Sequence, residues 1–209
     1  MATKFEILKS LPSTGPMYVS VSEENTFYSD FSEGFVVRFY KKDGSEWVAN
    51  IQRGLTNFDT VIELTESSNI IVIAGGQAYI INPENTKPIS FFGSQYKYSI
   101  SNTEGQCVLS DYTGLTIIEP DGKYWHSERI SIDGIEDLRI EDDIVYGVVY
   151  MPIDDADEWL DFSYNITTKI MTGGIGPFTA TESQLSNITI KTTTGAVGKR
   201  ENKPWWKFW

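Results

Sequence analysis

Along this chain, apolar residues gather in short runs of strand length, and helical periodicity is almost absent. The runs are rich in Val, Ile, Tyr, Phe and Thr: "GFVVRFY", "NIIVIAG", "QAYIINP", "QCVLSDY", "LTIIEP" and "DIVYGVVYM". Between them lie clusters of Gly, Asn, Asp and Pro. β-Branched and aromatic residues suit a pleated, half-buried surface, and the clusters supply turn conformations, so the pattern predicts β-strands joined by turns. No linker or composition break divides the runs. They predict one β-repeat domain over residues 1–198, followed by a basic aromatic tail over 199–209 that docks on it.

The runs also recur at a fixed distance. "KKDGSEW" (Lys41–Trp47) returns as "EPDGKYW" (Glu119–Trp125), 78 residues on, which is two periods of 39. "TESSNI" returns as "TESQLSNI", and Gly34, Gly76 and Gly114 each precede an apolar strand. Four units line up, at 17–55, 57–94, 96–131 and 134–174. Each has an opening strand, an apolar strand, a turn, a second apolar strand, a tight polar turn and a closing strand. Asp43-Gly44 and Asp121-Gly122 are hairpin dipeptides in which Gly takes φ > 0 without steric cost, and Pro83 presets the equivalent turn in "NPEN".

Antiparallel four-stranded units at such a period predict an all-β, β-propeller-like fold, with an evenly spaced β-sandwich as the alternative. "KFEILKSLP" (Lys4–Pro12) reads as a closing strand without a unit before it, and "SNITIKTTTG" (Ser186–Gly195) as an opening strand without a unit after it. Pairing the two would add to the four whole blades a fifth closed by both termini, which removes exposed sheet edges.

Charge narrows the functional classes. The chain of 209 residues carries a net charge of −12, but the tail from Lys199 onward is +3, leaving −15 on the rest. Eleven carboxylates fall between Asp133 and Asp161, with Arg139 the one base among them. Such a field disfavours nucleic acid and anionic membrane as partners and attracts basic ones. A single cysteine, Cys107, fits a reducing compartment, and the opening residues contain no secretory apolar run, so a cytoplasmic location is expected.

Catalytic chemistry finds little footing. His126 is the lone histidine and lies within a strand pattern, while Cys107 sits mid-strand where a small buried hydrophobe is expected. One His and one Cys cannot build a His- or Cys-rich zinc site, and no nucleophile elbow, P-loop or dinucleotide fingerprint is present. "DDADEWLD" (Asp154–Asp161) lacks the alternation and Gly of a calcium loop. Glycoside hydrolysis needs two placed carboxylates, which this single loop does not by itself supply. The sequons at Asn165 and Asn187 lack a secretory context.

No cofactor, metal or catalytic residue is therefore expected. What remains is a non-enzymatic protein-binding module, such as an immunity protein that inhibits a basic toxin or effector through an acidic face. A lectin-like propeller is the alternative, and a glycoside hydrolase a lesser one. The candidate partner-binding residues are Asp154, Asp155, Asp157, Glu158, Trp159 and Asp161, with carboxylates to steer association and Trp159 as anchor. Trp205, Trp206, Phe208 and Trp209 are candidate tail contacts.

Overall fold

The computed structural model describes residues 3–15, 17–22, 32–153 and 156–175, and of residues 153, 156 and 157 the backbone alone. Ser186–Gly195 and the tail with Trp205, Trp206, Phe208 and Trp209 lie outside the described residues. No helix occurs among those described. Sixteen strands form four four-stranded sheets.

The first sheet holds β1 (Phe5–Leu8), β2 (Val19–Val21), β3 (Phe35–Tyr40) and β4 (Glu46–Ile51). The second holds β5 (Thr60–Glu63), β6 (Ile70–Ala74), β7 (Gln77–Ile81) and β8 (Ser90–Phe92). The third holds β9 (Tyr98–Ser101), β10 (Cys107–Ser110), β11 (Leu115–Ile118) and β12 (Tyr124–His126). The fourth holds β13 (Ile135–Glu141), β14 (Ile144–Ile153), β15 (Ala156–Asn165) and β16 (Ile170–Gly173). Sheets two to four are antiparallel meanders in chain order, and each falls within the unit that the repeat predicts.

Three apolar cores join the sheets face to face. β6 shows how: Ile70, Val72 and Ala74 enter the core shared with the first sheet, while Ile71 and Ile73 enter the core shared with the third. β10 does the same one sheet further on, sending Cys107 and Leu109 one way and Val108 the other. Successive strand residues point to opposite faces, so a sheet covered on both sides needs an unbroken apolar run. This stacking of four four-stranded sheets is propeller-like.

The two repeated tryptophans serve this stacking. Trp47 donates its indole N–H to the Pro83 carbonyl at 2.8 Å, reaching the turn of the second sheet. Trp125 packs against the third core, with the Lys169 ammonium 4.3 Å from its ring centroid. Each closing strand thus rests its Trp on a turn of the following sheet.

The first unit departs from the expected order. β1, the strand read from Lys4–Pro12, pairs antiparallel with β3, the place that β6 takes beside β7. β2, expected to open the unit, lies at the far edge and pairs parallel with the closing strand β4. The described half of the expected fifth blade therefore belongs to the first sheet. Edge pairing is made by backbone groups common to all residues, so composition identifies a strand without naming its neighbour.

Two ends result. Lys42 and Glu84, Glu66 and Pro120, and Asn102 and Asp142 meet at the end where the closing turns lie. At the opposite, connector end the links between sheets meet. There Leu55 N–H donates to the Ser94 carbonyl, Gly76 N–H to Phe58, and Gly134 N–H to Tyr112.

Candidate functional site

The fourth sheet carries the acidic segment, and its two central strands are the longest in the chain. β13 runs alongside β14 as far as the Ile135–Val149 pair, with one more bond from Tyr150 N–H to the Gly134 carbonyl. β16 follows β15 as far as the Phe162–Gly173 pair, closed by Gly174 N–H donating to the Asp161 carbonyl. Beyond those points, among the described residues, only β14 and β15 continue, through Met151–Glu158, Pro152–Asp157 and Ile153–Ala156. The result is a two-stranded arm projecting about 10 Å past the sheet at the connector end. Pro152 lacks an N–H, and carboxylates flank it, two devices that keep a free edge from pairing with other strands.

Alternation along β15 sorts its side chains. Leu160 packs on the third core and Phe162 lies within it, so Trp159 and Asp161 point to the outer face and Glu158 to the opposite one. Trp159 is 43% exposed yet fixed in place. Its ring lies 5.3 Å from that of Tyr150, its cross-strand partner, and a Cβ on Gly134 would come within 3.0 Å of it. Glu158 and Asp161 are exposed, and neither forms an ion pair with a described residue. Asp154 and Asp155, at the arm's tip in sequence, lie outside the described residues, as does the side chain of Asp157.

The eleven carboxylates do not form one face. Asp133 and Glu136 lie near the start of β13, whereas Glu141, Asp142 and Asp143 lie at its other end, roughly 20 Å away. Asp143 is engaged in the fold, accepting from the Thr167 hydroxyl at 2.7 Å. Asp142 adopts φ 51°, a left-handed turn conformation that Asp tolerates. A second acidic depression, at the turn end, is lined by Glu66, Glu104, Glu119 and Asp121 with Lys123. There Glu119 accepts from the Gln106 amide at 2.8 Å, and Asp121 pairs with Lys123 at 2.7 Å. At the turn end Glu119, Asp121 and Asp143 are engaged by neighbouring side chains, whereas Glu158 and Asp161 form no ion pair with a described residue.

Of the remaining candidates, Cys107 is interior and His126 is exposed at the end of β12. The Cys107 thiol is buried, which pushes its pKa up to about 12 and leaves it a poor nucleophile at neutral pH. His126 Nδ1 lies 2.8 Å from the Thr116 hydroxyl, which lies 2.7 Å from the buried Tyr96 hydroxyl. Burial raises the Tyr96 pKa to about 12. Among the described residues, no group of three or more His, Cys, Asp or Glu is placed to hold a metal ion. Sequence reasoning missed Tyr150 and Gly134, which hold Trp159. Gly134 is in sequence only the first residue of the fourth unit, and its contact comes from a strand 25 residues away.

No protein-family model and no curated protein matches this chain. Among solved structures it resembles the WD40 domain of Pan2 from Neurospora crassa, at 13% identity and a TM-score of 0.36 over 70% of this chain. The match spans half the length of that structure.

Proposed function

We propose that this chain is a non-enzymatic binding protein for a basic protein partner, of the immunity or inhibitor type that neutralises a toxin or effector. The β14–β15 arm is its docking element. One observation carries this reading: the arm extends past its own sheet with Trp159 exposed and packed on Tyr150 and Gly134, beside Glu158 and Asp161, which form no ion pair with a described residue. A ribbon without neighbouring strands contributes little to the fold, so its charges remain available to a partner. Exposed carboxylates accelerate encounter with a cationic surface, and a preorganised Trp loses little side-chain entropy on being covered. Asp154, Asp155 and Asp157 would extend the same charge along the arm.

The test is affinity purification from the native host with the wild-type chain and with the Glu158→Lys, Asp161→Lys double variant. A basic protein recovered by the first and lost by the second is the expected result. Recovery of no protein partner, together with retention on a glycan column, would sink this reading in favour of the lectin-like alternative.

A further inference from the structure

The connector end holds a second feature next to the arm. Leu55 is 74% exposed, yet its backbone is clamped: its N–H donates to the Ser94 carbonyl, and the next residue, Thr56, donates its N–H to Gly75 and its hydroxyl to Tyr96. A Cβ on Gly76 would come within 2.5 Å of the Thr56 hydroxyl oxygen, so this loop cannot shift freely. Leu55 borders two adjoining shallow depressions, of about 570 and 370 Å³, that share Tyr112 as well. Tyr98, 42% exposed, lines the larger, and Asp133 the smaller. Lys97 folds its ammonium to 3.5 Å from the centroid of the Tyr112 ring, adding its methylene stem to the lining.

This patch is continuous with the arm. Tyr112 accepts from Gly134 N–H at 2.8 Å, and the Trp159 ring lies against Gly134. Trp159, Tyr112, Leu55 and Tyr98 thus follow one another across the end of the molecule. A lone exposed leucine is ordinary, but four large apolar side chains on backbone held rigid, with acids at one side, have the composition of a docking surface: apolar centre, charged rim.

We infer that the docking surface of the arm continues onto this patch, and that the depression between Leu55, Tyr98 and Tyr112 takes an apolar side chain of the same basic partner. The inference rests on the arm's reading above. Asp133 and the arm's carboxylates select cationic residues on either side of that apolar anchor.

The experiment uses the full-length chain and two fluorescein-labelled lysine-rich peptides that differ at one central position, leucine against alanine. Anisotropy titrations should show the leucine peptide binding about tenfold tighter. Leu55→Asp and, separately, Tyr98→Ala should erase that difference while leaving the alanine peptide's affinity within about twofold. Both replaced side chains are exposed, so melting temperatures should be unchanged. Glu158→Lys with Asp161→Lys should weaken both peptides alike. Equal binding of the two peptides by the wild type, or a difference that survives both depression variants, overturns the inference and leaves the arm's role standing. Failure of both peptides to bind at all overturns both.

Discussion

The second and fourth sheets have the same four-stranded meander but opposite surroundings. In the second, β6 reads "IIVIA" and every residue is buried, because the first and third sheets cover both faces. In the fourth, Val145 and Val149 are buried on β14 while Tyr146, Val148 and Tyr150, which alternate with them, are only half-buried. One face of that sheet meets the third core; the other carries Trp159 and Asp161. A doubly covered sheet spends its apolar residues on the fold, whereas a singly covered one has a face left for other work.

The sharpest way to break this comparison is to truncate adjacent residues. Ile70→Ala and Ile71→Ala should each cost about 2–5 kcal/mol in urea unfolding, since both point into cores. On β14, Val149→Ala should cost about 1–3 kcal/mol and Val148→Ala under about 1 kcal/mol. Equal costs at 148 and 149 would show that the outer face is covered after all.

Next in size is the polar chain between the second and third sheets. Thr116→Val leaves the buried Tyr96 hydroxyl without its partner and should cost about 1–3 kcal/mol. The same Tyr sets an alkaline limit. Burial raises its pKa from 10.0 to about 12, so the unfolded chain loses this proton first. The contribution of Tyr96 is full below pH 10 and is lost as pH rises from about 10 to 12, and that of Cys107 is lost from pH 9 upward. Tyr96→Phe should flatten the upper part of that decline in a melting-temperature series. An unchanged slope would place the alkaline loss elsewhere.

Smaller effects belong to the fourth sheet. Gly134→Ala places a methyl 3.0 Å from the Trp159 ring and should alter near-ultraviolet circular dichroism at a cost of about 1 kcal/mol. Smallest of all, Glu158→Lys with Asp161→Lys should change stability by less than about 0.5 kcal/mol while slowing partner association and reducing its salt dependence. If that variant instead aggregates with association unchanged, the acids serve to protect the free edges of the arm and not to recruit a partner.

Much of this was legible before any coordinates. "NIIVIAG" reads as a β-strand, and the Asp-Gly turns at 43–44 and 121–122 fall between paired strands as their chemistry requires. "DADEWLD" was readable as acidic residues around a tryptophan. It was not readable as an arm, because its projection depends on β13 and β16 ending short of it. Nor could the eleven acids be divided between two ends without the direction of β13. Leu55, Tyr98, Tyr112 and Trp159 come from three different units and share no spacing.

By itself the sequence determined the strands, the period near 39 residues and the acidic balance, because alternation, turn chemistry and charge are local properties that each residue carries with it. Only the tertiary structure decided that β1 sits beside β3, that β2 runs parallel to β4, and that an exposed tryptophan meets a glycine and a tyrosine at one end. Those outcomes depend on backbone edges and on contacts between distant segments. Neither leaves a mark on the residues in between.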